Sequence, residues 1–114
     1  MADLQNSNAV NDGSAPIRQE PPFGNVAVIG MGLIGASFAA ALKKAFPEIS
    51  VFGVDADSRT CSVAVERGWA DDASLPDDPS FEEFIRNNAE LVVIATPVKA
   101  VDGYLEKLAK LGFS

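Results

Sequence analysis

Three closely spaced glycines, Gly30, Gly32 and Gly35, interrupt the run VAVIGMGLIGAS between two apolar segments. Glycine weakens any regular element it enters, so the spacing G-x-G-x-x-G asks for a reason. Phosphate recognition supplies one. A first glycine permits a sharp turn off a strand, a second lets the main chain approach a pyrophosphate, and a third lets a helix pack closely on a sheet. The helix that follows then offers unpaired N–H groups and partial positive charge to the anion. A tight turn plus small residues at a helix–sheet contact would account for the string equally well by itself.

Asp55 adds a second, ordered signal. It closes the segment SVFGVD, where a dinucleotide fingerprint places an acid ~20 residues beyond the glycines to accept hydrogen bonds from the adenosine ribose. A carboxylate there repels a 2′-phosphate, which favours NAD. Arg59, four residues on, could reach that phosphate and keeps NADP as the weaker alternative. Asp55 as a plain strand-end turn residue is the competing reading. Thr96 and Pro97 follow a third apolar run, as an ordinary helix cap or as part of the ligand-binding edge of an open α/β sheet. The expected cofactor-binding set is Gly30, Met31, Gly32, Leu33, Ile34, Gly35, Asp55, Arg59, Ala95, Thr96 and Pro97. No catalytic residue and no metal ligand is assigned.

Composition narrows the classes further. The net charge of −7 is unsuited to a nucleic-acid partner. There is no histidine and one cysteine, Cys61, so a transition-metal site and an internal disulfide are both disfavoured; Cys61 reads as a small apolar residue on a helix face. No run has the ~18–20 apolar residues of a membrane span, and the polar start MADLQNSNAV does not resemble a signal peptide. The expected compartment is cytoplasmic. The acidic stretch DDASLPDD (residues 71–78) reads as a solvated loop rather than a metal or acid–base site.

The elements that must hold these residues alternate. Residues 1–22, which hold Asn6, Asn8, Asn11, Gly13, Pro16, Pro21 and Pro22 and lack a sustained apolar period, are expected to form a flexible tail. From residue 23 onward, NVAVI predicts a buried strand and Leu33 to about Ala45 a helix, with Phe38, Leu42 and Ala45 on one face and Pro47 ending it. A second strand covers SVFGVD. Ser58 is placed to cap a helix with Cys61, Ala64 and Val65 on one face, closed by Gly68 at C′. A short strand is expected near Trp69–Ala70, and Ser80-Phe81-Glu82-Glu83 reads as a capping box. ELVVIA predicts another buried strand. Thr96 and Pro97 then cap and open a last helix with Val98, Val101, Leu105 and Leu108 in one stripe and Tyr104 beside it. Alternation of this kind gives an α/β, Rossmann-like doubly wound parallel sheet, incomplete at about four strands.

In order, VAVIGMGLIGASFAAALKK, VFGVDADS, AVERGWADDAS and AELVVIATPV resemble the N-terminal nucleotide-binding half of prephenate and arogenate dehydrogenases. Ser37 after the third glycine, the segment ERGWADDAS and the segment ATPV carry the resemblance. 6-Phosphogluconate and hydroxyisobutyrate dehydrogenases, an alternative, usually differ there. The resemblance implies an NAD(P)-dependent oxidoreductase of tyrosine biosynthesis. In that reaction hydride passes from the substrate ring to the nicotinamide as carbon dioxide leaves. It further implies that the glycines cradle the pyrophosphate, that Asp55 holds the adenosine ribose, and that Thr96 and Pro97 lie beside the nicotinamide ribose. Family enzymes use a histidine for the substrate hydroxyl proton and an arginine for the substrate carboxylate, both beyond the matched stretch. Residues 23–114 are therefore expected to be the truncated cofactor domain of a longer, homodimeric dehydrogenase acting on prephenate or arogenate. Alone, the chain is expected to be inactive. A free-standing NAD-binding regulatory module is the alternative.

Overall fold

In the computed structural model, residues 23–113 are described; the tail expected over 1–22 lies outside them. Strands and helices alternate along the chain: β1 (Asn25–Ile29), α1 (Leu33–Ala45), β2 (Ser50–Val54), α2 (Ser58–Glu66), β3 (Asp72–Ser74), α3 (Pro79–Asn87), β4 (Leu91–Ile94) and α4 (Val98–Lys110). The strands form one parallel sheet in the order β3-β2-β1-β4. The chain steps from β1 through β2 to β3 on one side of β1, then returns to place β4 on the other. That reversal lies between the carboxyl ends of β1 and β4, the position where open α/β sheets bind ligands.

The strand period of two splits the core into two layers. Val26 and Val28 of β1 join Val51, Ala39 of α1 and Ala64 of α2 in one cluster. Ala27 and Ile29 join Phe52, Val54, Phe81 and Ile85 of α3 and Leu108 of α4 in the other. Val26 through Ile29 are wholly buried, which is why the run has no polar alternation. In the second layer the Phe52 and Phe84 rings stack 4.8 Å apart, an offset contact worth about 0.5–1.5 kcal/mol beyond area burial.

Several local expectations shift. The strand expected near Trp69–Ala70 falls at Asp72–Ser74, inside the stretch read as a loop. Trp69 and Ala70 donate their N–H groups back to Ala64 and so finish α2, leaving Asp72–Ser74 to pair with Phe52–Val54. Three helix starts also move. Asp57, not Ser58, caps α2, its carboxylate accepting from the Arg59 N–H. Asp78, not Ser80, caps α3, with Pro79 in the first turn; the Ser80 hydroxyl donates to Asp78 instead of forming a capping box. Pro97, not Thr96, is the N-cap of α4. On α1 the buried face is Gly35, Ala36 and Ala39, and Phe38 is exposed. Small residues face the sheet because α1 lies too close for a phenyl ring. Val65 of α2 is likewise exposed, as are Val98 and Leu105 of the predicted α4 stripe, of which Leu108 is buried. Gly68 takes φ +77° just past α2, as its C′ placement anticipates.

Candidate functional site

The three glycines are glycine for three different reasons. Gly30 leaves β1 with φ +97°, in the left-handed region that side chains rarely adopt. Its N–H donates to Val54 O at 2.6 Å, and a Cβ there would lie 2.9 Å from the Ala95 carbonyl and 3.0 Å from Thr96 Cγ2. The turns after β1 and β4 are thus in contact. Gly35 allows α1 to sit on its own entry turn, since a Cβ would fall 1.7 Å from Gly30 O. Gly32 differs from both. It is the N-cap of α1 in an extended conformation with φ −71°, and a Cβ would meet nothing within 4 Å. No internal packing and no backbone strain account for a missing side chain at that point. The open space borders the first turn of α1, whose leading N–H groups have no intrahelical partner; Leu33 and Ile34 of that turn are 86% and 73% exposed.

The structure brings Asp55 to this loop. One carboxylate oxygen, Oδ2, accepts the Met31 N–H at 2.8 Å, and the other, Oδ1, accepts the Asp57 N–H at 3.0 Å. The Met31 side chain is buried against Gly53, where a Cβ would come 3.0 Å from its Cγ. On the opposite flank, Ala95 N donates to Ile29 O at 2.7 Å. Thr96 follows with its hydroxyl oxygen buried and without a hydrogen-bond partner. A buried orphan hydroxyl calls for a partner, and this one belongs to a residue whose methyl group abuts Gly30 at the sheet's carboxyl edge. Pro97 is exposed at the start of α4. Arg59 is less closely joined to the rest. It lies exposed on the first turn of α2 and lines, with Met31, Asp57, Thr60, Val63 and Trp69, an open cleft of about 230 Å³.

Three residues enter this neighbourhood that the sequence reading did not place there. Asp57 caps α2 and shares the cleft with Arg59; its signal was an Asx residue immediately before a helical run. The Cys61 thiol is buried as expected, and it donates to the main-chain oxygens of Asp55 at 3.6 Å and Ser74 at 3.4 Å. Burial pushes its pKa up, which fits a structural thiol and not a nucleophile. Tyr104 of α4 packs against the second core layer, and its pKa is raised, first by burial and then by the negative charge of Asp55 and Asp77. Among the described residues no cluster of His, Cys, Asp or Glu could hold a metal ion. No described helix is long and apolar enough to cross a membrane.

A turn whose Gly30 and Gly35 leave no room for side chains, a helix opening onto clear space at Gly32 and a carboxylate clamped to the turn can hold a diphosphate and a sugar. The family model for the nucleotide-binding domain of prephenate dehydrogenase matches residues 38–113. The chain belongs to that family. The match begins downstream of the glycine turn, so the reading of the turn rests on its geometry. Over 87 residues the chain is 36% identical to the prephenate dehydrogenase of Bacillus subtilis (strain 168), covering 76% of this chain and 22% of that protein. It thus spans about a fifth of the length of that relative. Among solved structures it resembles the A. aeolicus prephenate dehydrogenase in complex with hydroxyphenyl propionate and NAD+, with TM-score 0.74, 25% identity and coverage of 84% of this chain and 32% of that one. It also resembles the Synechocystis arogenate dehydrogenase, with TM-score 0.63, 33% identity and coverage of 74% and 27%. The α/β sheet with its reversal between β1 and β4 is therefore the Rossmann-like fold of prephenate dehydrogenase nucleotide-binding domains.

Proposed function

We propose that residues 23–114 are the dinucleotide-binding domain of a prephenate or arogenate dehydrogenase, taking NAD in preference to NADP. The observation that carries this reading is Gly32, a glycine at a helix N-terminus that the protein's own packing does not require. Such a residue is explained by a ligand whose oxygens come where a Cβ would stand. The first turn of α1, from Leu33 to Gly35, presents N–H groups and the positive end of the helix to a pyrophosphate. Asp55 accepts from the ribose hydroxyls, and its charge disfavours a 2′-phosphate. The orphan Thr96 hydroxyl, with Ala95 and Pro97, lines the other wall, where the nicotinamide ribose would lie. Arg59 flanks the adenosine side.

Bound NAD supplies the hydride acceptor for an oxidative decarboxylation, while this domain binds and orients it. The Bacillus subtilis relative is called a prephenate dehydrogenase and the Synechocystis structure an arogenate dehydrogenase, which supports either acid as substrate. Substrate groups, the proton acceptor and the contacts of a homodimer are placed outside this domain, in a cytoplasmic enzyme of aromatic amino-acid synthesis. The test is a titration of the purified chain with NADH and NADPH, following nicotinamide fluorescence and the emission of Trp69. NADH is expected to bind, and to bind at least about tenfold tighter than NADPH, a difference of about 1.4 kcal/mol. No saturable NADH signal up to millimolar concentration would overturn the reading.

A further inference from the structure

The Asp55 carboxylate assigned to the ribose is already engaged twice by the protein itself. Oδ2 takes the Met31 N–H from the middle of the glycine turn, and Oδ1 takes the Asp57 N–H at the head of α2. The main chain around it is fixed as well. Asp55 N donates to Ser74 O at 3.1 Å, Gly30 N donates to Val54 O at 2.6 Å, and the Cys61 thiol donates to Asp55 O at 3.6 Å. From this geometry we infer that Asp55 is a positioning residue for the glycine turn: a carboxylate bridge from α2 to Met31 that sets the turn's shape and cannot swing aside for a 2′-phosphate. The inference rests on the dinucleotide reading for its second half only.

Each carboxylate oxygen accepts about two hydrogen bonds, so one acceptor site on each stays free. Two ribose hydroxyls, which are donors, can use them with the bridge intact. A 2′-phosphate offers acceptors and negative charge, and the carboxylate would have to turn away from it. Turning away strands the Met31 N–H, a partly buried donor, and leaving such a donor unpaired is costly. Charge repulsion alone makes a different forecast: removing the carboxylate should simply admit NADPH. The bridge forecasts that removal also loosens the turn, so that neither nucleotide binds well.

The experiment compares Asp55→Ala and Asp55→Asn with the wild type in two measurements. The first is amide hydrogen exchange without nucleotide, read at Met31 and Asp57, with Val28 and Ile29 of the buried central strand as the folding control. Asp55→Ala is expected to accelerate exchange at both amides at least tenfold, and Asp55→Asn, which keeps one acceptor, at one of them only. The second is the NADH and NADPH titration. Asp55→Ala is expected to bind both at least tenfold more weakly than the wild type binds NADH, and Asp55→Asn is expected to recover part of the loss. Wild-type exchange at Met31 in a folded Asp55→Ala protein would overturn the bridge. So would NADPH binding by Asp55→Ala as tight as NADH binding by the wild type. If the alanine variant unfolds, the asparagine variant decides, because it must release one amide and spare the other. Should the wild type ignore both nucleotides while Met31 exchange still responds to substitution, the bridge stands and the dinucleotide reading falls.

Discussion

Gly35 and Gly32 lie one helical turn apart, yet adding a methyl group to each should do opposite things. At Gly35 the new Cβ would stand 1.7 Å from the Gly30 carbonyl oxygen, where real Cβ contacts essentially never come under 3.0 Å. The obstacle is main chain at the end of a fully buried strand, so no side-chain rotation relieves it. The α1 helix must retreat by more than an ångström, lifting Ala36 and Ala39 from the sheet. Overpacking of this kind costs about 1–3 kcal/mol, and a rigid obstacle puts it at the top of that range. Alanine regains about 1 kcal/mol of helix propensity over glycine. The net loss is about 2 kcal/mol, which in a domain of this size lowers the melting temperature by about 8–16 °C. At Gly32 a Cβ meets nothing within 4 Å, so Gly32→Ala gives up only the preference of an N-cap for glycine over alanine, at most about 1 kcal/mol, while weakening NADH binding about tenfold or more. Thermal unfolding by circular dichroism and the NADH titration, run on both variants, separate the two roles. A Gly35→Ala protein that melts with the wild type refutes the close-approach argument. A Gly32→Ala protein that binds NADH normally refutes the ligand-space argument.

Two further outcomes concern the scaffold. Asp71 accepts the Val51 N–H at 2.7 Å and pairs with Lys43 at 3.0 Å, while Lys43 also donates to Ile49 O at 2.7 Å. Asp71→Ala leaves the Val51 N–H without its acceptor, but Asp71 is about half exposed; the expected cost is therefore about 1 kcal/mol, the low end for a lost partner, read as a lower urea midpoint with unchanged slope. Asp78 is held below the ordinary carboxyl pKa, first by the Ser80 N–H and then by the Ser80 hydroxyl. A carboxyl whose folded pKa is depressed adds stability that is present above its ordinary value of 3.8 and is lost as the pH falls toward the lower folded value. The stability advantage of wild type over Asp78→Ala, measured by urea unfolding across that interval, should accordingly shrink with acidification; an advantage independent of pH would refute the capping role.

What the sequence made legible follows the range of the forces involved. β1 and β2 were readable because a strand covered on both faces must be apolar at every position, and NVAVI and SVFGV are nearly so. β4 was readable from the apolar run LVVI, although as an edge strand it is half-buried at each position and not the fully buried strand expected. β3 was not, because Asp72-Ala73-Ser74 has neither apolar alternation nor β-branched residues; its strand geometry comes from pairing with Phe52–Val54, a partner distant in the chain. The helix starts moved by one or two residues for a related reason. Ser58, Ser80 and Thr96 are all competent caps by type, but the caps fall on Asp57, Asp78 and Pro97, with the two carboxylates accepting the Arg59 and Ser80 N–H groups. Residue type alone did not separate these near neighbours. The glycine spacing was visible from the start, yet it could not say which glycine serves the fold and which serves a ligand. That distinction needs the neighbours: Gly30 and Gly35 are constrained by Ala95 and by each other, and Gly32 is constrained by nothing within the chain. Asp55 carries the same lesson in reverse. Its spacing marks it as a ribose acceptor, while its contacts with Met31 and Asp57 make it part of the scaffold too, so a substitution at Asp55 cannot be read as the loss of a ligand contact alone.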